Sequence, residues 1–216
     1  MPLLFQKQVT DTTAMAVWKI EEEEEFFLRK APLLQDIHHP HKRLQHLAGR
    51  YLLSLLAPSF PFYEIKINEA RKPYLPSNQY LFSISHCGDY AAVIISSQHD
   101  CGVDIELISS KTEKVKAKFL SEDELQYVQS LQSTYQPKYR ENELYTICWC
   151  AKEAVYKWWG NGKIDFRQHI RIQQILPEKQ EMQVHFQKET TESELTLHLL
   201  TFGELITAWT IRSKKD

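Results

Sequence analysis

The stretch YLFSISHCGDYAAVIISSQHDCGVDIE, residues 80 to 106, decides the fold. Apolar and β-branched residues concentrate in three short runs within it, separated by polar segments. These runs are Tyr80–Ser85, Tyr90–Ser96 and Cys101–Glu106. Runs of this length, bounded by turn residues, predict strands. Because Cys87-Gly88-Asp89 and Gln98-His99-Asp100 are typical of turns, we expect a small antiparallel meander.

Helical patterns lie on both sides of this meander. Pro40 is expected to begin one helix, because proline suits the first helical position, and leucines then recur at helical spacing. Ser121 and Glu124 have the spacing of a capping box and predict the start of another helix. A long helix is predicted over Glu143–Trp159. Gly160 should end it, since glycine is common just past a helix C-terminus.

The rest of the chain adds strands and one acidic helix start. Alternation predicts strands over Ala14–Ile20, over Phe62–Ile67 and in short segments from His169 onward. The acidic run Glu21–Glu25 suits the positive end of a helix dipole and should open a short helix. Gln132–Asn142 is polar without periodicity and is interpreted as a loop. This order of elements predicts an α+β protein rather than a regularly alternating parallel sheet.

The bulk composition is that of an ordinary globular protein, with 43% apolar and 25% charged residues in a chain of 216. This length can bury one full core or two modest ones. We place a boundary near residue 100, which gives an N-terminal half of residues 1–100 and a C-terminal half of residues 101–216. Lys and Arg number 26 against 28 Asp and Glu, so no global field favours nucleic acid or an anionic membrane.

Targeting signals and cysteine usage give expectations about location. No run approaches the roughly 18 apolar residues that span a bilayer, and the first residues lack a basic segment followed by an apolar one. The four cysteines are scattered and do not form a disulfide framework. Cys148 and Cys150 lack the second pair that a structural zinc site would need. We therefore expect a reduced, cytoplasmic protein.

Two acidic residues at the end of the third strand are candidate metal ligands. Asp104 and Glu106 are two positions apart, so their carboxylates emerge on the same face of the strand. Adjacent carboxylates repel each other unless a cation bridges them, and hard oxygen ligands favour magnesium. The alternative is a solvated strand end, since Asp and Glu are mostly exposed.

A second candidate lies on the long helix. Glu153 and Lys157 are one turn apart and project from the same face. The alternative is an ordinary surface ion pair worth a few tenths of a kcal/mol. The helix is rich in aromatic residues, however, so the pair is expected to be partly buried beside apolar surface.

Ser85 and His86 end the first strand of the meander. Adjacent strand residues point to opposite faces, so the two do not form a nucleophile and base pair, and no Gly-x-Ser-x-Gly elbow is present. We favour His86 as a phosphate donor, with a capped turn histidine as the alternative. Arg71 and Lys72 lie in a proline-bounded loop. They are either a phosphate clamp or solvated loop residues.

In order and spacing, these pieces together resemble the Sfp-type phosphopantetheinyl transferases, which include the enterobactin-synthase type. The resemblance covers about residues 40 to 166. Its motifs are Phe82-Ser83-Ile84-Ser85-His86, Gly102-Val103-Asp104-Ile105-Glu106, Leu120-Ser121 with Glu124, and Trp149-Cys150-Ala151-Lys152-Glu153-Ala154 with Lys157. One such motif would be weak evidence, but four in order are strong.

The resemblance implies an activity and a set of site residues. The protein would move the 4'-phosphopantetheine arm of coenzyme A onto a serine of an acyl or peptidyl carrier protein and release 3',5'-ADP. By resemblance, Asp104, Glu106 and Glu153 hold magnesium together with the coenzyme A pyrophosphate. Glu153 is also the base that deprotonates the carrier serine. Lys157 and His86 match the family's phosphate contacts and complete the expected catalytic set.

Further residues are implied in coenzyme A binding, some with alternatives left open. The expected contacts are Ser85, His86, Asp104 and Lys157, with Arg71 and Lys72 from the basic loop. A basic residue of the helix entered at Lys42 would bind the 3'-phosphate. We favour Arg43, while Lys42 and Arg50 stay open.

The chain departs from the family pattern at two positions. Arg71 stands where the family commonly has the glycine of a Gly-Lys-Pro loop, which would alter backbone geometry or add a phosphate donor. Cys87 stands where a serine is frequent, and this change should matter little. Glu124 is either functional or only a helix cap.

The resemblance also implies a fold and leaves two other functions to consider. The fold would be two similar α+β halves related by a pseudo-twofold, with coenzyme A in the cleft between them, in a monomer.

A phosphodiesterase could use the same acids without a carrier. A non-catalytic binding module could keep the fold, but it should have lost one of the acids, and all three are present. The sequence does not identify the carrier or its pathway.

Overall fold

The computed structural model describes residues 2–135 and 140–213 and confirms the α+β class. Five helices are described: α1 (Glu24–Leu28), α2 (Pro40–Leu56), α3 (Ser110–Val115), α4 (Glu122–Tyr135) and α5 (Glu141–Trp159). The strands of the first half are β1 (Leu3–Thr10), β2 (Thr13–Lys19), β3 (Lys66–Ile67), β4 (Pro73–Tyr74), β5 (Leu81–Cys87) and β6 (Tyr90–Ser96). Those of the second half are β7 (His99–Leu107), β8 (Ile170–Leu176), β9 (Glu181–Lys188), β10 (Thr191–Phe202) and β11 (Leu205–Ser213).

The first large sheet has the strand order β1-β2-β6-β5 and is antiparallel throughout. One face carries Trp18, Val93 and Phe82, which form a core with Leu47 and Leu52 of α2. Burying these side chains against the helix is the main driving force for this part of the fold, at about 25 cal/mol per Å² of apolar surface.

The second large sheet has the order β7-β11-β10-β9-β8 and packs against α5. The predicted meander is therefore wrong in its third strand, because β7 pairs with β11 rather than with β6. The predicted turn at residues 98–100 is also wrong, since His99 and Asp100 begin β7. Nine register pairs with β11, from Leu107 to His99, make β11 the better partner for this strand.

The two sheets meet at a seam between the edge strands β5 and β7. Backbone N–H groups of β7 donate to serine hydroxyls of β5, from Val103 to Ser83 at 3.2 Å and from Ile105 to Ser85 at 3.3 Å. Beneath the seam, an apolar cluster joins β2 and β6 to β7 and β11, including Met15 and Trp209. The seam fixes the position of β5 relative to β7, so residues of both strands can contribute to one site.

Gly102 lets α5 approach β7 closely. A Cβ at this position would lie 2.1 Å from the carbonyl oxygen of Ala154 and 2.6 Å from the backbone nitrogen of Trp158. Both atoms belong to the helix backbone and cannot rotate away. Only glycine therefore allows the present distance between the strand and the helix.

We expect Gly102→Ala to lower the free energy of unfolding by roughly 1–3 kcal/mol or more, because overpacking forces backbone shifts. Urea denaturation would measure the loss. Gly203→Ala is the control, since Gly203 has a left-handed backbone (φ 62°) but open space around it. That variant should lose about 1 kcal/mol. Equal losses in the two variants would contradict the steric explanation.

Two predicted elements differ from the structure. Phe62–Glu64 forms a 3₁₀ turn in which Phe62 packs against the first core while Tyr63 is exposed, and only Lys66–Ile67 is a strand, paired with a two-residue partner. The predicted loop Gln132–Asn142 is wrong at both ends, since α4 continues to Tyr135 and α5 begins at Glu141. Residues 136–139 lie outside the described residues. In the last turn of α4, the hydroxyls of Ser133 and Thr134 donate to carbonyls one turn back, so these polar side chains find hydrogen-bond partners within the helix.

Across the described ranges 2–135 and 140–213, no helix is both long and apolar enough to cross a lipid bilayer.

Candidate active site

Asp104 lies at the seam and is the centre of the candidate site. It is 3% exposed, and its side chain points away from the apolar cluster under the seam, towards α5. Oδ1 accepts hydrogen bonds from Ser85 Oγ at 2.7 Å and from Lys157 Nζ at 2.5 Å. Oδ2 is buried without a hydrogen-bond partner among the described residues. One carboxylate oxygen thus remains available to a further ligand.

Glu106 follows on the same face of β7, as its spacing from Asp104 predicts. The indole N–H of Trp149 donates to Oε1 at 3.0 Å, and Cys87 Sγ lies 3.4 Å from Oε2. Burial, and then the charge of Asp104, raise the pKa of Glu106. Sequence reasoning gave Cys87 little importance, yet its side chain helps to hold this carboxylate in place.

Glu153 faces the same site from α5. Burial raises the pKa of its carboxyl to about 7, with a further contribution from the charge of Asp104, while Lys157 acts in the opposite direction. No ion pair or hydrogen bond to the Glu153 carboxylate is found among residues 2–135 and 140–213. The alternative of an ordinary Glu153–Lys157 ion pair is therefore wrong, because Lys157 contacts Asp104 instead. A half-buried carboxyl with a pKa near neutrality is suited to accept a proton.

Lys157 and Ser85 connect the two halves of the site. Lys157 Nζ donates to Ser85 Oγ at 2.8 Å as well as to Asp104. These contacts bring together α5, strand β5 of the first large sheet and strand β7 of the second. Burial opposes the charge of Lys157, but Asp104 and Glu153 outweigh it and the pKa is raised. The ammonium group therefore stays charged at neutral pH.

His86 lies on the opposite face of β5 from Ser85 and is exposed, whereas Ser85 is buried. Desolvation, followed by the charges of Lys42 and Lys157, lowers the pKa of its imidazole. No hydrogen bond joins Ser85 and His86 among the described side chains, in agreement with the argument against a nucleophile and base pair.

The basic loop adopts the backbone that a glycine would favour. Arg71 has φ 64°, a left-handed conformation that costs a non-glycine residue about 1 kcal/mol. The arginine thus keeps the geometry while adding a guanidinium group. Lys72 Nζ donates to the carbonyl oxygens of Lys157 at 2.6 Å and Trp158 at 3.4 Å. Lys72 therefore caps the C-terminus of α5 instead of projecting into open space.

A cavity of about 170 Å³ lies between this loop, β5 and α5. Its walls include Arg71, Pro73, Ile84, Tyr156 and Lys157. Lys157 lines this cavity and also contacts Asp104, so it links the cavity to the carboxylate cluster.

The candidate 3'-phosphate residues on α2 differ in their partners. Arg43 Nε bonds both carboxylate oxygens of Glu24, at 2.8 and 2.9 Å, and its Nη1 donates to the carbonyl of Ile37. Arg50 is 6% exposed and its Nη1 is buried without a partner in the described part of the chain. One turn earlier, the Nε2 atom of His46 is also unpartnered, and burial, then Arg50, lower the pKa of His46 to about 4. Sequence reasoning missed His46, although the i, i+4 spacing to Arg50 could have revealed it.

Lys152 and Glu124 form a buried ion pair away from the candidate site. Lys152 is 0% exposed and donates to Glu124 and to the carbonyl oxygens of Phe119, Phe166 and Ile170. Glu124 also accepts from the backbone of Ser121, which confirms the capping box. These contacts give Glu124 a structural role.

The raised pKa of Glu153 predicts a pH-dependent stability difference. The pKa of the Glu153 carboxyl is about 7 in the folded protein against an ordinary value of 4.5, so between these pH values the folded protein binds more protons than the unfolded chain. Stability therefore falls as pH rises from 4.5 through about 7, and above that pH the contribution of this proton is fully lost. Relative to wild type, Glu153→Gln should gain stability between pH 5 and pH 8, by roughly 3 kcal/mol at most. Urea denaturation in the presence of a chelator would measure the free energy of unfolding of both proteins. The same difference between variant and wild type at pH 5 and at pH 8 would contradict the prediction.

Fold and site together define a two-sheet α+β protein with a cluster of carboxylates and a lysine at the junction of its sheets. The family model of the 4'-phosphopantetheinyl transferase superfamily matches residues 100–210, about half of the chain. The chain belongs to this superfamily. The match includes Asp104, Glu106, Glu153 and Lys157.

Curated relatives carry the same designation. A Haemophilus influenzae protein provisionally named a 4'-phosphopantetheinyl transferase is 29% identical over 144 residues, which cover 63% of this chain and 58% of the relative. The 4'-phosphopantetheinyl transferase AcpT of Escherichia coli O157:H7 is 29% identical over 122 residues, 56% of this chain and 60% of the relative. The matches thus span about three fifths of each relative's length.

Proposed function

We propose that this protein transfers the 4'-phosphopantetheine group of coenzyme A to a serine of an acyl or peptidyl carrier protein, with release of 3',5'-ADP. The observation that carries the proposal is the convergence of Asp104, Glu106, Glu153 and Lys157 on one seam, within a chain of the 4'-phosphopantetheinyl transferase superfamily. The relatives named as transferases support the same reaction.

Coenzyme A would bind in the cleft between two similar halves, residues 1–100 and 101–216, related by a pseudo-twofold. Support comes from the cavity beside Lys157, where Arg71 and Lys157 offer donors to phosphate oxygens and Lys72 holds the end of α5. Ser85 contacts Lys157, and His86 follows Ser85 on β5. For the 3'-phosphate, Arg43 remains our candidate and would have to share its guanidinium with Glu24. Lys42 and Arg50 remain alternatives, and the unpaired guanidinium of Arg50 favours it as a donor.

The chemistry of the three carboxylates suits a magnesium ion. In the described ranges and in this conformation, no three His, Cys, Asp or Glu side chains are arranged to hold a metal by themselves. Asp104 nevertheless has an orphaned, buried Oδ2, and the three acids offer the hard oxygen ligands that magnesium prefers. We assign Asp104, Glu106 and Glu153 to this ion, with substrate phosphate completing its coordination. Bound there, magnesium would neutralise charge on the pyrophosphate.

Glu153 would act as the general base. Its carboxylate takes the proton of the carrier serine hydroxyl, directly or through a water, since a serine hydroxyl is a poor nucleophile at neutral pH. The serine oxygen forms a bond to the phosphorus that bears the pantetheine arm, and the bond from that phosphorus to the bridging oxygen of the pyrophosphate breaks. The electron pair leaves with 3',5'-ADP. Lys157 and His86 donate to phosphate oxygens and stabilise the developing charge.

The proposal also names the partners and the setting. Coenzyme A and an apo carrier protein are the expected partners, the protein would work as a monomer in the cytoplasm, and neither nucleic acid nor membrane is needed. Fatty-acid, polyketide and nonribosomal-peptide carriers are all candidates. The identity of the carrier depends on a surface that the motifs do not include.

Incubation with magnesium, coenzyme A and a panel of apo carrier proteins tests the proposal. At least one carrier should gain the mass of a phosphopantetheine group, with equimolar release of 3',5'-ADP. Omitting magnesium, or replacing the acceptor serine by alanine, should prevent the gain.

Three outcomes would count against the transfer reaction. A folded sample that neither modifies a carrier nor binds coenzyme A would refute the proposal. Cleavage of coenzyme A without any carrier would indicate a phosphodiesterase. Binding of coenzyme A without turnover on any carrier of the panel would indicate a binding module.

A further inference from the structure

A second cavity, of about 510 Å³, lies beyond the basic loop. It is a cleft lined by the loop around Lys72, the end of α5 and the ends of β7 and β11. Lys72 and Gly160 line both this cavity and the smaller one beside Lys157, so they form a wall between the two. The carboxylates proposed for catalysis do not line the larger cavity. Its volume lies in the range that takes small molecules.

An acidic and a basic side chain lie next to each other in this cavity without pairing. Asp100 and Arg212 are direct neighbours in the register of β7 and β11, so their side chains emerge side by side on one face. No ion pair within 4.0 Å joins them, and neither side chain has a hydrogen-bond partner among the described residues. Arg212 instead lies over the ring of Trp158, 6.0 Å from its centroid. Both charges are thus available to a ligand.

Trp158 contributes an aromatic side chain to the same wall. This residue is 8% exposed and lines the cavity, and its indole Nε1 is buried without a partner in the described part of the chain. Leaving a buried N–H unpaired costs about 1–3 kcal/mol. Lys72, the other cation of the lining, already donates to backbone carbonyls of α5. The remaining walls include the rings of Tyr80 and Trp159.

We propose that this cavity is a binding site for a zwitterionic aromatic amino acid, or for the free amino-carboxylate of a molecule of that kind. The carboxylate would accept from the guanidinium of Arg212. The ammonium group would donate to Asp100, which lies one strand spacing away. The aromatic part would stack among Tyr80 and Trp159. A purely anionic ligand would bring its charge close to Asp100, and a purely cationic one would meet Arg212.

Ligand-detected NMR on the wild-type protein tests the site with three matched probes. L-phenylalanine carries both charges, N-acetyl-L-phenylalanine lacks the ammonium charge, and L-phenylalaninamide lacks the carboxylate. We expect saturable binding of L-phenylalanine and roughly tenfold weaker binding of each analogue, since a charge-assisted hydrogen bond is lost in each. Saturating coenzyme A should not displace the amino acid.

Two variants test whether the probe binds in this cavity, and neither changes a residue proposed for phosphopantetheine transfer. Arg212→Met should remove the preference for L-phenylalanine over its amide. Asp100→Asn should remove the preference over the N-acetyl form. Absence of saturable binding, equal binding of the three probes, or displacement by coenzyme A would each overturn the proposal. The comparison of the three probes on the wild-type protein can overturn the proposal even if a variant fails to fold.

Discussion

Glu153→Gln is expected to lower the rate of phosphopantetheine transfer by 10²-fold or more while leaving the protein folded. A positioned general base contributes roughly 10²–10⁴-fold, and glutamine keeps the shape of the side chain but cannot take a proton. The loss should be larger if the same carboxylate also holds magnesium. Single-turnover transfer to a carrier at saturating coenzyme A would measure the chemical step.

The matched control is Glu192→Gln, which removes an exposed carboxylate on β10, on the side of the sheet away from the site residues. It should leave the rate unchanged. Retained turnover in Glu153→Gln would refute both the base and the metal assignment. A titration of magnesium separates the two roles, because a defect only in metal binding should be relieved at high magnesium concentration.

Lys152→Met is expected to lower the free energy of unfolding by roughly 3–5 kcal/mol. The substitution fills a similar volume but leaves Glu124 as a buried charge without its partner, and this is the costly change. Three backbone carbonyls would also lose their donor. Urea or thermal denaturation at neutral pH would measure the loss.

The double variant Lys152→Met with Glu124→Gln tests the reason. If an unpaired charge causes most of the loss, the double variant should be more stable than Lys152→Met alone. If the double variant loses the sum of the two single losses, the coupling between these side chains is absent and the explanation is wrong.

Local patterns predicted much of the secondary structure because the signals act within a few residues. The helix begun by Pro40, the capping box at Ser121 and the end of α5 at Gly160 are all confirmed. Strand β1 (Leu3–Thr10) was missed, because much of its surface is exposed and its sequence alternates poorly. Its stability comes from pairing with β2, and a local sequence pattern does not reveal which strands pair.

The sequence also identified the carboxylates and the lysine of the candidate site, but not their contacts. Spacing placed Asp104 and Glu106 on one face, and one helical turn placed Glu153 beside Lys157. Only the tertiary structure brings Lys157 to Asp104 and leaves Glu153 without a close partner. The pKa of about 7 at Glu153 also depends on burial, which local spacing does not determine.

Residues 80–106 show which features follow from the local sequence and which depend on the tertiary structure. By itself, the sequence determined the first two strands of this stretch and the approximate course of the third, because side-chain alternation and turn residues are local properties. Its choice of partner was decided by tertiary structure, since β7 pairs with β11, about 100 residues later, and meets β5 through serine hydroxyls at the seam. Pairing across such a distance is governed by which apolar faces can be buried together, and that depends on the whole chain.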